Sequence, residues 1–394
     1  MNGGTARRTF FEYLGVADQE RVHTQMLAWL LDRRHSPLSS SDRKKLLASA
    51  FSFEVDTSHL DRLEVLPELE AIDLVVVAPA GLLAIENKLK SRQSEGQLAS
   101  YSTTLRKLAL KRTLPENRIQ GRFLTFGGEP AKTDGWANVD YAQLLEALTP
   151  FADQNQYVGD YVAVLSKLII FRNEFVARHH LYPEIFRRSG MSSRDRLDDM
   201  VSESEATIVQ FVCSNRLERI FCEALLRHCA ERLRPGIHYV DESRGKALMD
   251  TRLFTLDFVG QSTQYRAGLQ LQGSTVKLNI GSKSYAKSTR AEIASFEAKL
   301  DGSVRTALAS STSHGQLKRN PSRAKAYRSW SYQLGVDETL QKTKIDDFIA
   351  QHNERLAWAM TTWAAALKEL KQSGIVAHFA PATPETGGGE VVVE

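Results

Sequence analysis

Residues 72–90, IDLVVVAPAGLLAIENKLK, form a mostly apolar run that opens near Asp73 and closes near Glu86, Asn87 and Lys88. The APAG sequence at its centre contains the proline and glycine that favour a turn. If the stretches on either side of this turn pair as a hairpin, Asp73 and Glu86 face each other across adjacent strands. The run therefore predicts a buried β-hairpin with charged side chains at one end.

The charges at the end of this hairpin suit a hard metal ion. Glu86 and Lys88 are two residues apart, so both side chains point to one face of a strand. Opposed carboxylates repel each other unless a cation lies between them, and oxygen ligands suit Mg²⁺ or Mn²⁺. A lysine beside the ion can hold or deprotonate a water molecule, which favours phosphodiester hydrolysis. The alternative is that Asp73 begins a strand and the other two charges form a solvated strand end.

Two neighbouring helices offer further polar side chains to this cluster. Gln97 and Tyr101 are four residues apart in GQLASY, so they share one face of the helix after the hairpin. Residues 17–32 have helical spacing, and Glu20 lies where it can bring a third acid to the cluster. The predicted apolar stripe of this helix consists of Val22, Met26, Trp29 and Leu30.

The first half of the chain alternates between strand and helix patterns. Strands are predicted at 62–70, 73–77, 82–88 and 121–128, and helices at 92–112 and 157–178. Residues 136–148 are typical of a strand that enters a helix. This alternation predicts a mixed α/β sheet domain.

Length indicates more than one domain. A chain of 394 residues exceeds the size at which one hydrophobic core usually keeps growing, so two domains are expected. Polar, serine-rich residues 187–207 are the predicted linker between a first domain, 1–186, and a second domain, 208–380. Residues 381–394 are predicted to form a disordered tail.

The segment after the linker is typical of an α+β domain. Its predicted elements are a helix at 208–234, an antiparallel meander at 253–281, and helices at 289–300 and 338–372. Strands grouped together between helices distinguish this domain from the first one.

Composition and missing signatures exclude several classes of protein. Cys213, Cys222 and Cys229 are too widely spaced for a metal or redox pair and too few for a disulfide framework, so buried thiols are expected. No window approaches the roughly 20 apolar residues of a membrane span, and the N-terminus lacks the apolar core of a secretory signal. We therefore expect a cytoplasmic protein with no membrane partner. The usual signatures of NTP hydrolysis, zinc proteolysis and serine hydrolysis do not occur.

The quoted motifs together resemble a known enzyme family. The core of the PD-(D/E)XK nuclease superfamily is similar to the ordered set formed by Asp73, Glu86, Asn87, Lys88 and QLASY at 97–101. The branch with a leading Glu/LLD helix and an IENK…QLxxY core is the most similar, because Glu20, AWLLD, FLTFGG, VDYAQLLEAL and GDYVAVL occur in that order. The similarity spans about residues 10–180. It implies a restriction-endonuclease-like mixed sheet flanked by helices.

The resemblance implies a role for each residue of the hairpin end. Asp73 and Glu86 would bind the metal ion, and the backbone carbonyl of Asn87 would complete the inner shell. Lys88 would orient or activate the attacking water. The implied cofactor is Mg²⁺ or Mn²⁺. The family's proline before the first acid is absent here, where Ile72 precedes Asp73.

The resemblance also implies roles for residues of the flanking helices. Glu20 would be an auxiliary acid that holds the metal ion or its water. Gln97 and Tyr101 would position the substrate phosphate or the lysine. These side chains extend the predicted site beyond the hairpin.

Clusters of basic residues indicate where nucleic acid would bind. Lys90 and Arg92 directly follow the predicted site, and the helix after them is also basic. The segment 314–330 combines basic and aromatic residues, which suits phosphate contact and base stacking. Its predicted contacts are Lys318, Arg319, Arg323, Lys325 and Arg328. The alternative for both clusters is an ordinary solvated basic surface.

The sequence as a whole predicts a Mg²⁺-dependent nuclease that acts on DNA. The resemblance alone implies a role in defence against phage or foreign DNA. One alternative is a nuclease-like fold that serves as a nucleic-acid binding or assembly module, and another is an RNase that uses the same site. A second copy of the chain, or a partner protein that triggers activity, stays open as an interaction partner.

Overall fold

The computed structural model describes residues 8–56, 62–79, 81–189, 191, 207–243, 245–260, 264–273, 275–281, 318–320, 329–334 and 340–383. These residues form two compact units. The described residues up to 175, together with 207–224, belong to the first unit, and residues 176–191 and 225–383 belong to the second. The predicted helix at 289–300, most of the predicted linker and most of the predicted tail lie outside the described residues.

In the first unit, helices precede and follow the strands in sequence order. It begins with α1 (Phe10–Tyr13), α2 (Glu20–Leu31) and α3 (Ser40–Phe51). The middle elements are β1 (Glu64–Leu69), β2 (Ile72–Ala78), β3 (Gly81–Lys88), α4 (Gln97–Lys111), β4 (Ile119–Thr125) and β5 (Trp136–Asp140). The last elements before the predicted linker are α5 (Tyr141–Leu148) and α6 (Gln156–Arg178).

The five strands form one mixed sheet in the order β1-β2-β3-β4-β5. The strands β1, β2 and β3 pair antiparallel, whereas β3, β4 and β5 pair parallel. The helix α4 makes the crossover that a parallel β3–β4 pair requires. The structure confirms the predicted mixed sheet flanked by helices.

The pairing of β2 with β3 sets which side chains share a face. Leu74 lies opposite Ile85, and Ala78 lies opposite Gly81. The same register places Asp73 opposite Glu86, as the position of the turn predicts. Alternate residues of these strands, with Leu98 and other residues of α4, form one apolar cluster.

The helix α2 buries a different face from the predicted one. Val22, Met26 and Trp29 of the predicted stripe are only partly buried. The buried residues are His23, Thr24, Leu27, Ala28, Leu30 and Leu31. The prediction was wrong because His23 and Thr24 have hydrogen-bond partners inside the protein, which lets polar side chains occupy the core face.

The segment after the predicted linker forms two helices in place of one long helix. These are α8 (Thr207–Ser214) and α9 (Glu218–Ala230). They are separated at Arg216, whose φ of 53° is incompatible with a continuous right-handed helix. The short helix α7 (Pro183–Arg188) precedes them.

The second unit contains an antiparallel sheet. Its strands are β6 (Ile237–Ser243), β7 (Lys246–Phe258), β8 (Gln264–Gln272), β9 (Thr275–Gly281), β10 (Lys318–Asn320), β11 (Ser329–Leu334) and β12 (Val376–Pro381). The strand order is β10-β11-β9-β8-β7-β12, and β6 also pairs with β7. The meander of β7, β8 and β9 was predicted, whereas the other four strands were not. Their short or irregular apolar patterns gave no separate signal.

One long helix, α10 (Ile345–Gln372), packs against this sheet. Its fully buried Trp363 donates a hydrogen bond from Nε1 to the carbonyl oxygen of Gly268 at 2.9 Å. A Cβ atom on Gly268 would lie 1.8 Å from the carbonyl oxygen of Thr251 on the neighbouring strand. Only glycine therefore fits at this position, where β7 and β8 approach each other closely.

The described residues of both units also bear on the expected buried thiols and on the expected absence of a membrane span. Cys213, Cys222 and Cys229 are buried free thiols, as predicted. Among the helices that the structure describes, none is both long enough and apolar enough to span a bilayer.

A buried histidine makes the second unit sensitive to acid. His352 on α10 is 1% exposed, and its ring stacks on Phe348 with the centroids 5.1 Å apart. Burial, together with the nearby Arg355 and His238, lowers the pKa of His352 to about 3. In an unfolded chain the pKa of histidine is about 6.5. The unfolded state therefore binds the proton first, and folding loses stability as the pH falls below about 6.5.

We expect His352 alone to reduce the stability of the second unit by about 2 kcal/mol between pH 6.5 and pH 5. His352→Phe keeps a flat ring against Phe348 and removes the titrating group, so this variant should lose less stability over that range. His378→Phe, on the exposed side of β12, should behave like the unmodified protein. Hydrogen exchange of α10 peptides, corrected for intrinsic amide rates, measures the difference. The same pH dependence in all three proteins would contradict this account.

Candidate active site

Three charged side chains meet where β2 begins and β3 ends. We call Asp73, Glu86 and Lys88 the charge cluster. The Nζ atom of Lys88 lies 2.8 Å from Oε1 of Glu86, and their side chains are 12% and 2% exposed. Asp73 lies opposite Glu86, and its Oδ2 accepts a hydrogen bond from the backbone N–H of Asn87 at 2.7 Å. The structure therefore brings the three predicted residues together.

The environment of the charge cluster favours protonated carboxyl groups. Burial and the neighbouring Asp73 together raise the pKa of Glu86 to about 7, although Lys88 acts in the opposite direction. Burial also raises the pKa of Asp73. For Lys88, burial lowers the pKa, but the hydrogen bond and the charge of Glu86 outweigh burial, so the pKa is raised. Two acids are thus held close together in a poorly solvated place.

The first turn of α4 adds two polar side chains to the charge cluster. Gln97 donates a hydrogen bond from Nε2 to Oε1 of Glu86 at 2.8 Å, and its Nε2 also lies 2.8 Å from the hydroxyl of Tyr101. Tyr101 donates to the backbone carbonyl of Ala71 at 2.7 Å. This chain of contacts runs from β3 through α4 to the residue just before β2. The predicted positions of Gln97 and Tyr101 beside the cluster therefore agree with the structure.

Asn87 points to the opposite face of the sheet from Glu86 and Lys88. Its side chain is buried, and its Nδ2 donates to the carbonyl oxygen of Glu20 at 3.0 Å and to Oγ1 of Thr24 at 3.2 Å. Its Oδ1 accepts a hydrogen bond from the hydroxyl of Tyr141 at 2.5 Å. The amide is therefore engaged in the core. A role of Asn87 at the metal ion, as predicted, concerns its backbone carbonyl alone.

The carboxylate of Glu20 binds the loop that follows Lys88. Its Oε1 accepts hydrogen bonds from the N–H groups of Lys90 and Ser91 at 2.6 and 2.5 Å, and its Oε2 accepts one from the Ser91 hydroxyl at 2.7 Å. Both oxygens thus have donors in the loop. This geometry supports a role in holding the loop, and the role of Glu20 as an auxiliary acid at the metal ion stays a prediction.

The two predicted nucleic-acid contacts near the site have intramolecular partners. Lys90 forms an ion pair with Asp18, and its side chain is 30% exposed. Arg92 lies 3.7 Å from Glu129, with side chains 15% and 4% exposed. The structure thus indicates that both cations hold the loop after Lys88. Their contact with nucleic acid stays a prediction.

The predicted basic segment of the second unit is described only in part. Lys318 and Arg319 lie on β10, in a strand that the sequence did not predict. Arg323, Lys325 and Arg328 lie outside the described residues. Nucleic-acid binding by these five residues stays a prediction.

The residues of the charge cluster fit a divalent cation. The Oε2 atom of Glu86 is buried and has no hydrogen-bond partner among the described residues. An ion would satisfy this oxygen and would offset the charge of Asp73, which contributes to the raised pKa of Glu86. Within the part of the chain that the structure describes, no group of three Asp, Glu, His or Cys side chains is arranged to hold a metal. Asp73, Glu86 and, as predicted, the carbonyl of Asn87 are the oxygen donors that could hold an ion here with water, and such a set suits Mg²⁺ or Mn²⁺.

Two residues that support the site were not predicted from the sequence. Thr24 and Tyr141 are both buried and both bind the amide of Asn87. Tyr141 lies in VDYAQLLEAL, directly after Asp140, which caps α5 through a 2.7 Å hydrogen bond to the N–H of Ala142. A tyrosine at the first position of an apolar helix was the available signal, because a buried hydroxyl requires a partner.

Comparison with known proteins finds one family model that matches part of the chain. The sequence model of the PD-(D/E)XK nuclease superfamily matches residues 9–177. This match includes the five-stranded sheet and the whole charge cluster. A search of curated proteins and a search of solved structures each found no match to the chain.

We expect Mn²⁺ to bind to the charge cluster, and calorimetry to show binding at least tenfold weaker in Glu86→Gln, which removes one carboxylate ligand. Glu86→Gln also ends the repulsion with Asp73, so the melting temperature should not fall. Glu68→Gln is the matched control, because Glu68 is an exposed acid that pairs with Arg21 on the surface. Equal Mn²⁺ affinity in Glu86→Gln and the unmodified protein would show that the ion binds elsewhere.

Proposed function

Because the sequence model of the PD-(D/E)XK nuclease superfamily matches residues 9–177, we propose that this protein is a metal-dependent nuclease that hydrolyses phosphodiester bonds in DNA. One observation carries the proposal. The buried carboxylate of Glu86 lies between Lys88 and Gln97, opposite Asp73, and keeps one oxygen without a partner among the described residues. A binding module has no need for two opposed acids in this position, because their repulsion only destabilises it.

Each residue of the charge cluster has a separate task in the proposed reaction. Asp73, Glu86 and the carbonyl of Asn87 would hold the cation. A bound divalent cation supplies Lewis-acid polarisation of the phosphate and lowers the pKa of water. The raised pKa of Lys88 keeps its ammonium group charged in the free protein, so Lys88 would donate hydrogen bonds to the water or to a phosphate oxygen. Glu86 holds that ammonium group in place.

Gln97 and Tyr101 would keep the side chains of the charge cluster in position. The amide of Gln97 supports Glu86, and the Tyr101 hydroxyl links α4 to the backbone before β2. Because both side chains come from one turn of α4, a shift of this helix would move them together. We therefore propose that they position Glu86 and Lys88, and that Gln97 also contacts the substrate phosphate.

The exposed side of α4 offers a path for the nucleic-acid backbone. The helix begins at Gln97 beside the charge cluster and continues to Lys111, a distance of about 20 Å. Lys107 and Lys111 are exposed on it, as is Arg106, which lies 3.8 Å from Glu116. Cations in such a row neutralise successive phosphates and release counterions. We propose that α4 contributes more to substrate binding than Lys90 and Arg92, which have intramolecular partners.

The choice of DNA, and a role in defence against phage or foreign DNA, come from the resemblance to one branch of the superfamily. The same charge cluster would also serve an RNase. If the protein cleaves both strands, a second copy of the chain would contribute the second site. If its activity needs a trigger, a partner protein would supply it. The purified protein therefore needs to be tested on several substrates.

We expect cleavage of plasmid and linear duplex DNA in Mg²⁺ or Mn²⁺, and none in EDTA. Lys88→Met removes the charge and keeps the length of the side chain, so cleavage should fall at least about 100-fold. Lys45→Met, at an exposed lysine of α3, should cleave normally. Melting temperatures near that of the unmodified protein would show that both variants are folded.

The other outcomes of this assay are equally informative. Cleavage of RNA without cleavage of DNA would favour the RNase alternative. Metal binding without any cleavage would favour an activating partner. Neither metal binding nor cleavage would favour the nucleic-acid binding module, and full activity in Lys88→Met would end the proposal.

A second prediction concerns the path along α4. Lys107→Gln with Lys111→Gln should weaken binding of a duplex in EDTA and lower the slope of log K against log salt by about 2. The matched pair Lys44→Gln with Lys45→Gln on α3 carries the same change in charge and should leave both quantities unchanged. Fluorescence anisotropy at four salt concentrations measures the slopes. Equal slopes in the two double variants would place the substrate elsewhere.

A further inference from the structure

A segment beyond the family match is built into the first unit. The match ends at residue 177, yet residues 207–224 belong to this unit. Most of α8 is buried, including Val209 and Val212. The ring of Phe211 contacts that of Phe171 on α6, with the centroids 5.1 Å apart. The segment is thus part of the core that supports the sheet.

The first turn of α9 packs on the chain beside Lys88. The backbone N–H of Phe126, just after β4, donates to the carbonyl oxygen of Lys88 at 3.0 Å. The ring of Phe221 contacts that of Phe126, with the centroids 5.7 Å apart. At Gly127, a Cβ atom would lie 2.4 Å from Cδ1 of Ile220, so the helix approaches this backbone closely. The turn therefore covers the end of β4 that is hydrogen-bonded to the end of β3.

The same turn also binds the loop after Lys88 directly. Arg219 donates a hydrogen bond from Nη2 to the carbonyl oxygen of Lys90. The Nζ atom of Lys90 lies 3.3 Å from the carbonyl oxygen of Asn215. On the other side of this peptide, Glu20 accepts hydrogen bonds from the N–H groups of Lys90 and Ser91. The carboxylate of Glu20 therefore binds the N–H groups of the loop, and the guanidinium of Arg219 binds its carbonyl oxygen.

A buried acid fixes the orientation of Arg219. The guanidinium forms an ion pair through Nη1 with Glu223, whose side chain is 1% exposed. The other nitrogen, Nη2, is the one that reaches Lys90. The planar fork of arginine serves two acceptors in fixed directions, whereas the single ammonium group of lysine does not.

We propose that Arg219 is a positioning residue of the active site. By holding Lys90 it fixes the point at which β3 ends, and so keeps Glu86 and Lys88 in their mutual geometry. The functional unit of this protein would accordingly comprise residues 207–224 in addition to the family match. The expected effect on cleavage rests on the proposed nuclease function, whereas the expected effect on the loop does not.

The test compares four variants of the full chain. Arg219→Lys keeps the charge beside Glu223 and loses the fork, and Arg219→Ala opens space for free guanidinium. The double variant Arg219→Met with Glu223→Met removes both charges at similar volume, which guards against unfolding by a buried acid that has lost the charge of Arg219. Arg216→Lys, at an exposed arginine three residues earlier, is the matched control.

We expect kcat to fall about 30-fold to 100-fold in Arg219→Lys and in the double variant, with KM changed less than about threefold, since misplacement acts on the reaction step. Added guanidinium should raise the activity of Arg219→Ala at least tenfold and should leave the activity of Lys88→Met unchanged. Amides of the peptide 88–96 should exchange at least fivefold faster in all Arg219 variants. Arg216→Lys should match the unmodified protein in each measurement.

Two results would overturn the inference. One is a folded Arg219→Lys or double variant with unchanged kcat and unchanged exchange in the peptide 88–96. The other is loss of melting temperature in Arg219→Ala without any response to guanidinium. If the unmodified protein neither binds Mn²⁺ nor cleaves any substrate, the proposed function fails, but hydrogen exchange in the peptide 88–96 still decides whether Arg219 holds the loop.

Discussion

The pairing of β2 with β3 places two carboxyl groups against each other, and the rest of the first unit accommodates that constraint. A shift of one residue would move every side chain of one strand to the other face, so the apolar residues that bury this hairpin also fix the position of Asp73 opposite Glu86. The resulting repulsion is opposed by Lys88 and Gln97, which both bind Glu86. The apolar core thus enforces an unfavourable electrostatic arrangement, which is a common property of catalytic sites.

The strand end that carries the charges is held from both faces of the sheet. Glu86 and Lys88 contact the α4 side, whereas Asn87 between them binds Thr24 and Tyr141 on the other side. These partners are neutral, so they stabilise the strand end without adding to the charge near the site. A buried network of this kind tolerates little movement, because each lost hydrogen bond leaves a buried polar group unpaired.

Local spacing explains what could be predicted from the sequence. The positions of the hairpin and of Gln97 with Tyr101 follow from periods of two and about four residues, and the structure has both. The buried face of α2 could not be predicted, because the ring of His23 binds Tyr161, which is 138 residues away, in addition to the nearby carbonyl oxygen of Ala17. The ion pair of Arg92 with Glu129 likewise depends on the folded chain, so the sequence showed only a charge.

The limits of a functional unit depend on contacts more than on sequence similarity. The loop after Lys88 offers peptide N–H groups on one side and a carbonyl oxygen on the other, and these require partners of opposite charge. Glu20, near the start of the chain, binds the donors, and Arg219, beyond the family match, binds the acceptor. Because both partners act on one short peptide, the geometry of the charge cluster depends on residues about 200 positions apart. A family match that contains every charged residue of the site can therefore still omit part of what holds it.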